Sequence, residues 1–127
     1  MNIIICGAGR VGFTIAKQLS EQGHSITVID QSSEDIQKIN DSLDVKAIVG
    51  KATYPSILEK ANASDADMII AVTRNDEINM VICQIAFSIF NIPKKIARIR
   101  SQDYLNPKFS KVYNRENLPI DVIISPE

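Results

Sequence analysis

The stretch Asn2-Ile3-Ile4-Ile5-Cys6-Gly7-Ala8-Gly9-Arg10-Val11-Gly12 decides how this chain folds. A helical pattern follows it to Gly23, and a second apolar run, Ser25-Ile26-Thr27-Val28-Ile29, closes on Asp30. That is strand, glycine-rich turn, helix, strand and acid. Each part has a physical task. Gly7 permits the tight turn out of the strand, Gly9 lets backbone approach a pyrophosphate, and Gly12 lets the helix pack close to the strand. The free N–H groups at the helix start face the phosphates, aided by the helix dipole. Asp30 falls roughly 20 residues after the glycines, where an acid accepts hydrogen bonds from ribose hydroxyls. The same carboxylate repels a 2′-phosphate, so NAD is favoured over NADP. Glycines at this spacing are a weak sign alone; the flanking strand, helix and acid make them a specific one. The competing reading is a glycine turn in an α/β domain that holds no nucleotide.

Arg10 adds to the generic fingerprint. A cation at a helix N-terminus opposes the dipole at a cost of about 0.3–1 kcal/mol. An anion beside it removes that cost, because guanidinium suits bidentate contact with phosphate. A solvated arginine that tolerates the penalty is the alternative.

Outward from this unit, 127 residues suffice for one domain with a proper core. A net charge of −1 and a pI near 5.8 give no electrostatic case for nucleic acid or an acidic membrane surface. No apolar run approaches the length of a membrane span, and no signal peptide is visible. Cys6 and Cys83 are the only cysteines and read as reduced core thiols of a cytoplasmic protein. One histidine and two scattered cysteines cannot build a metal site.

Later segments repeat the strand–helix alternation. The first helix, from about Val11 to Glu21, carries Val11, Ile15, Ala16 and Leu19 on one face, and Gly23 closes it. His24 reads as a surface loop residue. Ser32 and Asp35 fit a capping box for a helix to about Asn40, whose thin apolar face predicts a short, partly exposed element. Residues 45–49 form the third strand. Gly50-Lys51-Ala52-Thr53 occupies the turn beyond it, with Thr53 placed to cap a helix starting near Pro55. Such turns line the ligand crevice of a doubly wound sheet, so Lys51, Ala52 and Thr53 are candidates for the adenine end; an ordinary capped turn is equally compatible.

Residues 67–73 read as a strand covered on both faces, running into a long helix that ends before Pro93. Asn75 and Asp76 are placed to cap that helix or to contact a nucleotide, capping being the commoner role, and Thr73 at the strand end is the better ligand candidate. Residues 95–100 form the fifth strand, with Arg98 and Arg100 on one face. A buried arginine needs a partner, either an anion in the crevice or an acid on a neighbouring element. A polar helix over residues 102–112 and a sixth strand over residues 119–124 complete the chain. The pattern predicts a Rossmann-type doubly wound, six-stranded parallel sheet of order 3-2-1-4-5-6, one domain over residues 1–127. Ending directly after an edge strand, it reads as a piece cut from a longer protein.

Four separated stretches resemble the TrkA family: Ile5 to Gly12, Ala66 to Met80, Ala97 to Ser101, and Leu118 to Glu127. They match its N-terminal KTN (RCK-type) nucleotide-binding domain, and the resemblance covers essentially the whole chain. The resemblance implies a cytoplasmic regulatory domain, peripheral on the inner face of the membrane through its partner, a membrane-embedded Trk-type potassium transporter subunit. It implies a homo-oligomer, dimer or tetramer, and NAD or NADH as ligand, with ATP or ADP as competitors. Carried onto this sequence, Gly7, Gly9, Arg10 and Gly12 hold phosphates and Asp30 the ribose, with Ala8 and Val11 of the same turn counted in the cofactor site. The turn from Lys51 through Ala52 to Thr53 lies by the adenine, and Thr73 and Arg98 by the remaining phosphate or ribose. Lys51 stands where the family often carries Asp. The Pro126-Glu127 ending matches a point after which family members continue into a dimerisation helix.

A small NAD-dependent oxidoreductase is the alternative. Against it, the sheet uses the whole chain and no proton donor stands near the crevice. A regulatory, non-enzymatic domain without nucleic-acid partners is the expected function.

Overall fold

The computed structural model describes residues 1–125. The Pro126-Glu127 ending therefore lies outside the described residues. Strand β1 (Asn2–Cys6) is followed by α1 (Arg10–Glu21), β2 (Ser25–Asp30), α2 (Ser33–Ser42), β3 (Lys46–Val49) and α3 (Pro55–Lys60). Then come β4 (Met68–Ala71), α4 (Asp76–Ser88), β5 (Lys94–Arg98), α5 (Gln102–Leu105) and β6 (Val122–Ile124). The sheet order is β3-β2-β1-β4-β5-β6 and every pairing is parallel, as the sequence predicts. The order reverses between β1 and β4, so the crevice of such a sheet lies beyond their carboxyl ends.

Why β1 sits at the centre follows from its composition. Ile3, Ile4, Ile5 and Cys6 are all buried, and successive side chains point to opposite faces. Ile3 and Ile5 join Ala16 of α1 and Ile36 and Ile39 of α2 in one core. Ile4 and Cys6 join Leu58 of α3 and Ile82, Cys83 and Ala86 of α4 in the other. Both faces are covered, which is what an all-parallel sheet requires. Each fully buried isoleucine contributes about 1.5–3 kcal/mol. Burial pushes the Cys6 thiol well up, and pushes the Cys83 thiol up to about 12, so neither is a nucleophile at neutral pH.

Several expected details change. Helix α2 is a full ten residues, because Ile36 and Ile39 bury almost completely. Its capping box is half made: Asp35 N–H donates to Ser32 Oγ at 3.2 Å, while Ser32 N–H goes to Asp30 Oδ1 at 2.8 Å instead of Asp35. The expected helix over residues 102–112 breaks in two, into α5 and a 3₁₀ turn at Pro107–Val112. Proline drives Asn106 before it out of the helical region, to φ −63° and ψ 124°. Strand β6 is three residues rather than six, since Asp121 is tied to Lys95 of β5. Strands β4 and β5 end at Ala71 and Arg98, short of the expected Thr73 and Arg100.

Lys95 is the buried cation that the sequence reading passed over. Its ammonium pairs with Asp121 at 3.1 Å and donates to the Ile92 carbonyl at 3.0 Å. It is the single ion pair among the described residues. It pins the start of β5 to the approach of β6, at the end of the sheet away from the crevice.

Candidate functional site

The glycine turn is built by contacts that leave little choice of residue at two of its three glycines. Gly7 sits at φ +116°, and a Cβ there would meet the Val72 carbonyl group at 2.9 Å. At Gly12 a Cβ would run into the Gly7 carbonyl, whose carbon lies 2.8 Å away. Gly9 is different. Its φ of −73° suits any residue, and a Cβ there would have nothing within 4 Å. Neither a positive φ nor packing requires glycine at this position.

Gly9 is also the N-cap of α1. No side chain caps this helix, and no acid stands in its first turn. The first N–H groups of the helix are therefore left to water or an anion. They open onto a cavity of about 630 Å³ whose lining is basic, with Arg10, Lys51, Arg74, Arg98 and Arg100 against Asp30 and Asp35.

Asp30 closes the other side of the turn. Ala8 N–H donates to its Oδ2 at 2.7 Å and Ser32 N–H to its Oδ1 at 2.8 Å. An ionised carboxylate has about four acceptor positions, so two remain for hydroxyl groups in the cavity. The Gly50 N–H donates to the Asp30 backbone carbonyl at 2.9 Å, which draws the turn after β3 alongside. Lys51 in that turn lies over the Tyr54 ring, 5.4 Å from its centroid.

At the far wall, Arg98 emerges from the end of β5. Its Nε is buried and has no hydrogen-bond partner. Burial, then the neighbouring Arg100, pushes its pKa down, with Asp76 opposing and Arg74 adding to the fall. No carboxylate pairs with it among the described residues. Of the two partners the sequence allows, the acid is missing and the place for an anion is present.

The cavity gathers most of the predicted residues: Gly7, Gly9, Arg10, Val11, Asp30, Ala52, Thr53, Thr73 and Arg98. Ala8 and Gly12 do not line it. Ala8 is buried with its N–H spent on Asp30, and Gly12 serves the contact between helix and turn. Thr53 is not a cap. Tyr54, held extended before Pro55, takes the N-cap place without a side-chain bond, which leaves Thr53 facing the cavity. Asn75 does cap α4, accepting from Ile78 N–H at 2.9 Å, but Asp76 turns away to hold the Arg100 and Ser101 N–H groups.

Two features escape the sequence reading. Asn79 is fully buried in the apolar face of α4 and its amide is saturated. Its Oδ1 accepts from Thr73 N–H at 2.9 Å and Thr73 Oγ1 at 2.7 Å; its Nδ2 donates to the Thr73 carbonyl at 3.1 Å and the Arg98 carbonyl at 2.8 Å. It joins the ends of β4 and β5, and it occupies the hydroxyl proton that Thr73 could offer a ligand. Arg74 is the second, placed at the cavity in the loop after β4, past Val72 and Thr73, with its carbonyl accepting from Arg100 at 2.9 Å. Its position past a strand end at the reversal of order was the available signal. His24, by contrast, lies at the opposite end of the sheet beside the Met1 amino group at 3.2 Å.

Among the described residues no group of His, Cys, Asp or Glu could hold a metal, and no helix is long and apolar enough to cross a membrane. The family model described as TrkA-N domain matches residues 3–126. A relative in Azorhizobium caulinodans, named Trk system potassium uptake protein TrkA, is 48% identical over all of this chain. The chain spans 28% of that relative's length. Among solved structures, the Kef CTD of Shewanella denitrificans in an AMP-bound form is 25% identical with a TM-score of 0.70, over 87% of this chain and 69% of that one. A GsuK channel bound to NAD aligns with a TM-score of 0.71 at 19% identity, over 81% of this chain and 18% of that one.

Proposed function

The chain belongs to the TrkA-N domain family, and we propose that it is the nucleotide-binding regulatory domain of a Trk-type potassium uptake system. The observation that carries this reading is the open N-terminus of α1 at Gly9, a glycine that neither a positive φ nor packing requires, sharing its cavity with an arginine whose buried Nε lacks a partner. We propose NAD or NADH as the ligand. Its pyrophosphate sits on the open N-terminus of α1 beside Arg10, its adenosine ribose on the free acceptor positions of Asp30. Ala52 and Thr53 border the adenine, and Arg98 meets the distal phosphate or ribose. ATP and ADP share the adenosine and two phosphates and compete for the same place. The naming of the A. caulinodans relative, the AMP of the Kef structure and the NAD of the GsuK structure support this assignment.

Regulation follows if the ligand binds two arrangements of an oligomer with different affinity, since a ligand of equal affinity shifts nothing. The reader of that shift is a membrane-embedded potassium transporter subunit, which holds this cytoplasmic domain at the inner face of the membrane. We propose no catalytic role. The titratable groups lining the cavity are arginines, one lysine and two aspartates, and none stands as an oriented proton donor over a hydride path.

Calorimetric titration with NADH, NAD, ATP and ADP, with hydride turnover followed in the same samples, tests the reading. Binding without turnover is expected; turnover would replace it with the oxidoreductase. Asp30→Ala should weaken NAD by about tenfold or more, as expected for lost hydrogen bonds to a charged acceptor. It should also cost about 1–3 kcal/mol of stability, because the Ala8 and Ser32 N–H groups lose their acceptor. Unchanged affinity in a folded variant would move the ribose elsewhere.

A further inference from the structure

The overall charge of −1 hides a local segregation. Between Asp103 and Glu116 the chain has no acid, and it carries Lys108, Lys111 and Arg115, all exposed. The first two lie in the 3₁₀ turn at Pro107–Val112, where residues three apart eclipse one another. Lys108 and Lys111 therefore form one ridge, and Phe109 and Val112 form a second beside it. Phe109 is 56% exposed, the highest value for a large apolar side chain among the described residues, and Val112 is 38% exposed. Neither belongs to the core. Leu105, Tyr113 and Leu118 take the inward positions of this segment and pack against it.

The turn is held in shape. Asn106 Oδ1 accepts from Lys108 N–H at 3.0 Å, the Asn114 and Asn117 amides both donate to the Lys111 carbonyl at 3.0 Å, and Leu118 N–H donates to the Val112 carbonyl at 2.8 Å. None of the three cations has a carboxylate partner among the described residues. A fixed cationic ridge next to a fixed aromatic–aliphatic ridge matches a surface that is anionic at its face and apolar just beneath.

We propose that this patch docks directly on an anionic lipid bilayer, with Lys108, Lys111 and Arg115 at the headgroups and Phe109 and Val112 entering the headgroup–acyl boundary. Juxtamembrane basic residues gain from the negative surface potential, and apolar side chains between them add burial. Duplex nucleic acid meets the charge but offers no apolar layer for Phe109. The patch shares no residue with the nucleotide cavity, so the proposal stands independently of the ligand reading. Net charge alone does not reveal such a patch, because it averages over the whole surface.

Sedimentation with vesicles of equal parts phosphatidylglycerol and phosphatidylcholine, against pure phosphatidylcholine, tests it. The chain should bind the anionic vesicles and release them as ionic strength rises. Lys108→Glu with Lys111→Glu should lower partitioning at least about tenfold, and Phe109→Ser should lower it at unchanged charge. Both variants should keep the parent's circular dichroism and thermal midpoint, which shows that they are folded. Equal partitioning on both vesicle types overturns the proposal. So does anionic binding that survives the double charge reversal, or capture by duplex DNA with none by vesicles.

Discussion

Helices α1 and α4 begin at the carboxyl ends of the two adjacent central strands, β1 and β4, and border the same cavity, yet their first turns are opposite in design. Helix α4 is closed: Asn75 caps it, Asp76 and Glu77 complement its dipole, and Asn79 ties its first turn to Thr73 and Arg98. Helix α1 is open: a bare glycine at the N-cap, no acid, and a cation at its first position. Each omission in α1 lowers helix stability by a fraction of a kcal/mol or more. Together they leave a positive, unfilled end facing a basic cavity. The difference separates an end that is capped and tied into the fold from one that is left open at the cavity.

Breaking the closed end should affect stability and leave the open end's ligand chemistry in place. The largest effect is expected from Asn79→Leu, which strands the Thr73 N–H and the Thr73 and Arg98 carbonyls in a buried site. A loss of about 3 kcal/mol follows from unsatisfied buried groups, readable as a fall in the urea midpoint. A midpoint within experimental error of the parent would show that water replaces the amide and that the join is not structural.

Arg10→Ala should move binding and stability in opposite directions. Affinity for NAD, ATP and ADP alike should fall about tenfold, as expected for one charge-assisted phosphate contact. Without ligand, thermal stability should rise slightly, by about 0.3–1 kcal/mol, because a cation leaves a helix N-terminus. Loss for one nucleotide only would place Arg10 away from the pyrophosphate.

Asn75→Ala sharpens the contrast with the smallest effect. It should cost about 1 kcal/mol of stability and leave nucleotide affinity within a factor of two or so of the parent. A larger binding loss would mean that the α4 end also touches the ligand.

This contrast was partly legible in the sequence. The glycine spacing, the acid at Asp30 and the continuous apolar runs specified the sheet and its order, because each encodes a local conformation or a face. Nine of the predicted site residues line the cavity for the same reason. Partners across elements were not legible. Asn79 reads as a gap in an apolar helical stripe, and nothing nearby in sequence reveals four bonds to Thr73 and Arg98. Asp76 looks like a cap by position, yet the Arg100 and Ser101 N–H groups outcompete its own helix for it. Thr53 failed as a cap because one intervening residue, Tyr54, is held extended by Pro55. Lys95 looks like a solvated strand end until Asp121 is seen beside it. Pro107 did carry a readable warning against one continuous helix, through its effect on Asn106.

We propose that α1 is left open for a nucleotide. Calorimetric titration of NAD into the parent and into Gly9→Asp tests it most directly. Aspartate at an N-cap is favourable for the helix, and the φ of −73° together with the empty surroundings accommodates the side chain. The variant should be at least as stable as the parent while its NAD affinity falls about 100-fold or more, because a carboxylate then occupies and repels the phosphate position. Equal NAD affinity in that variant would contradict it, and the open end of α1 would then need another explanation.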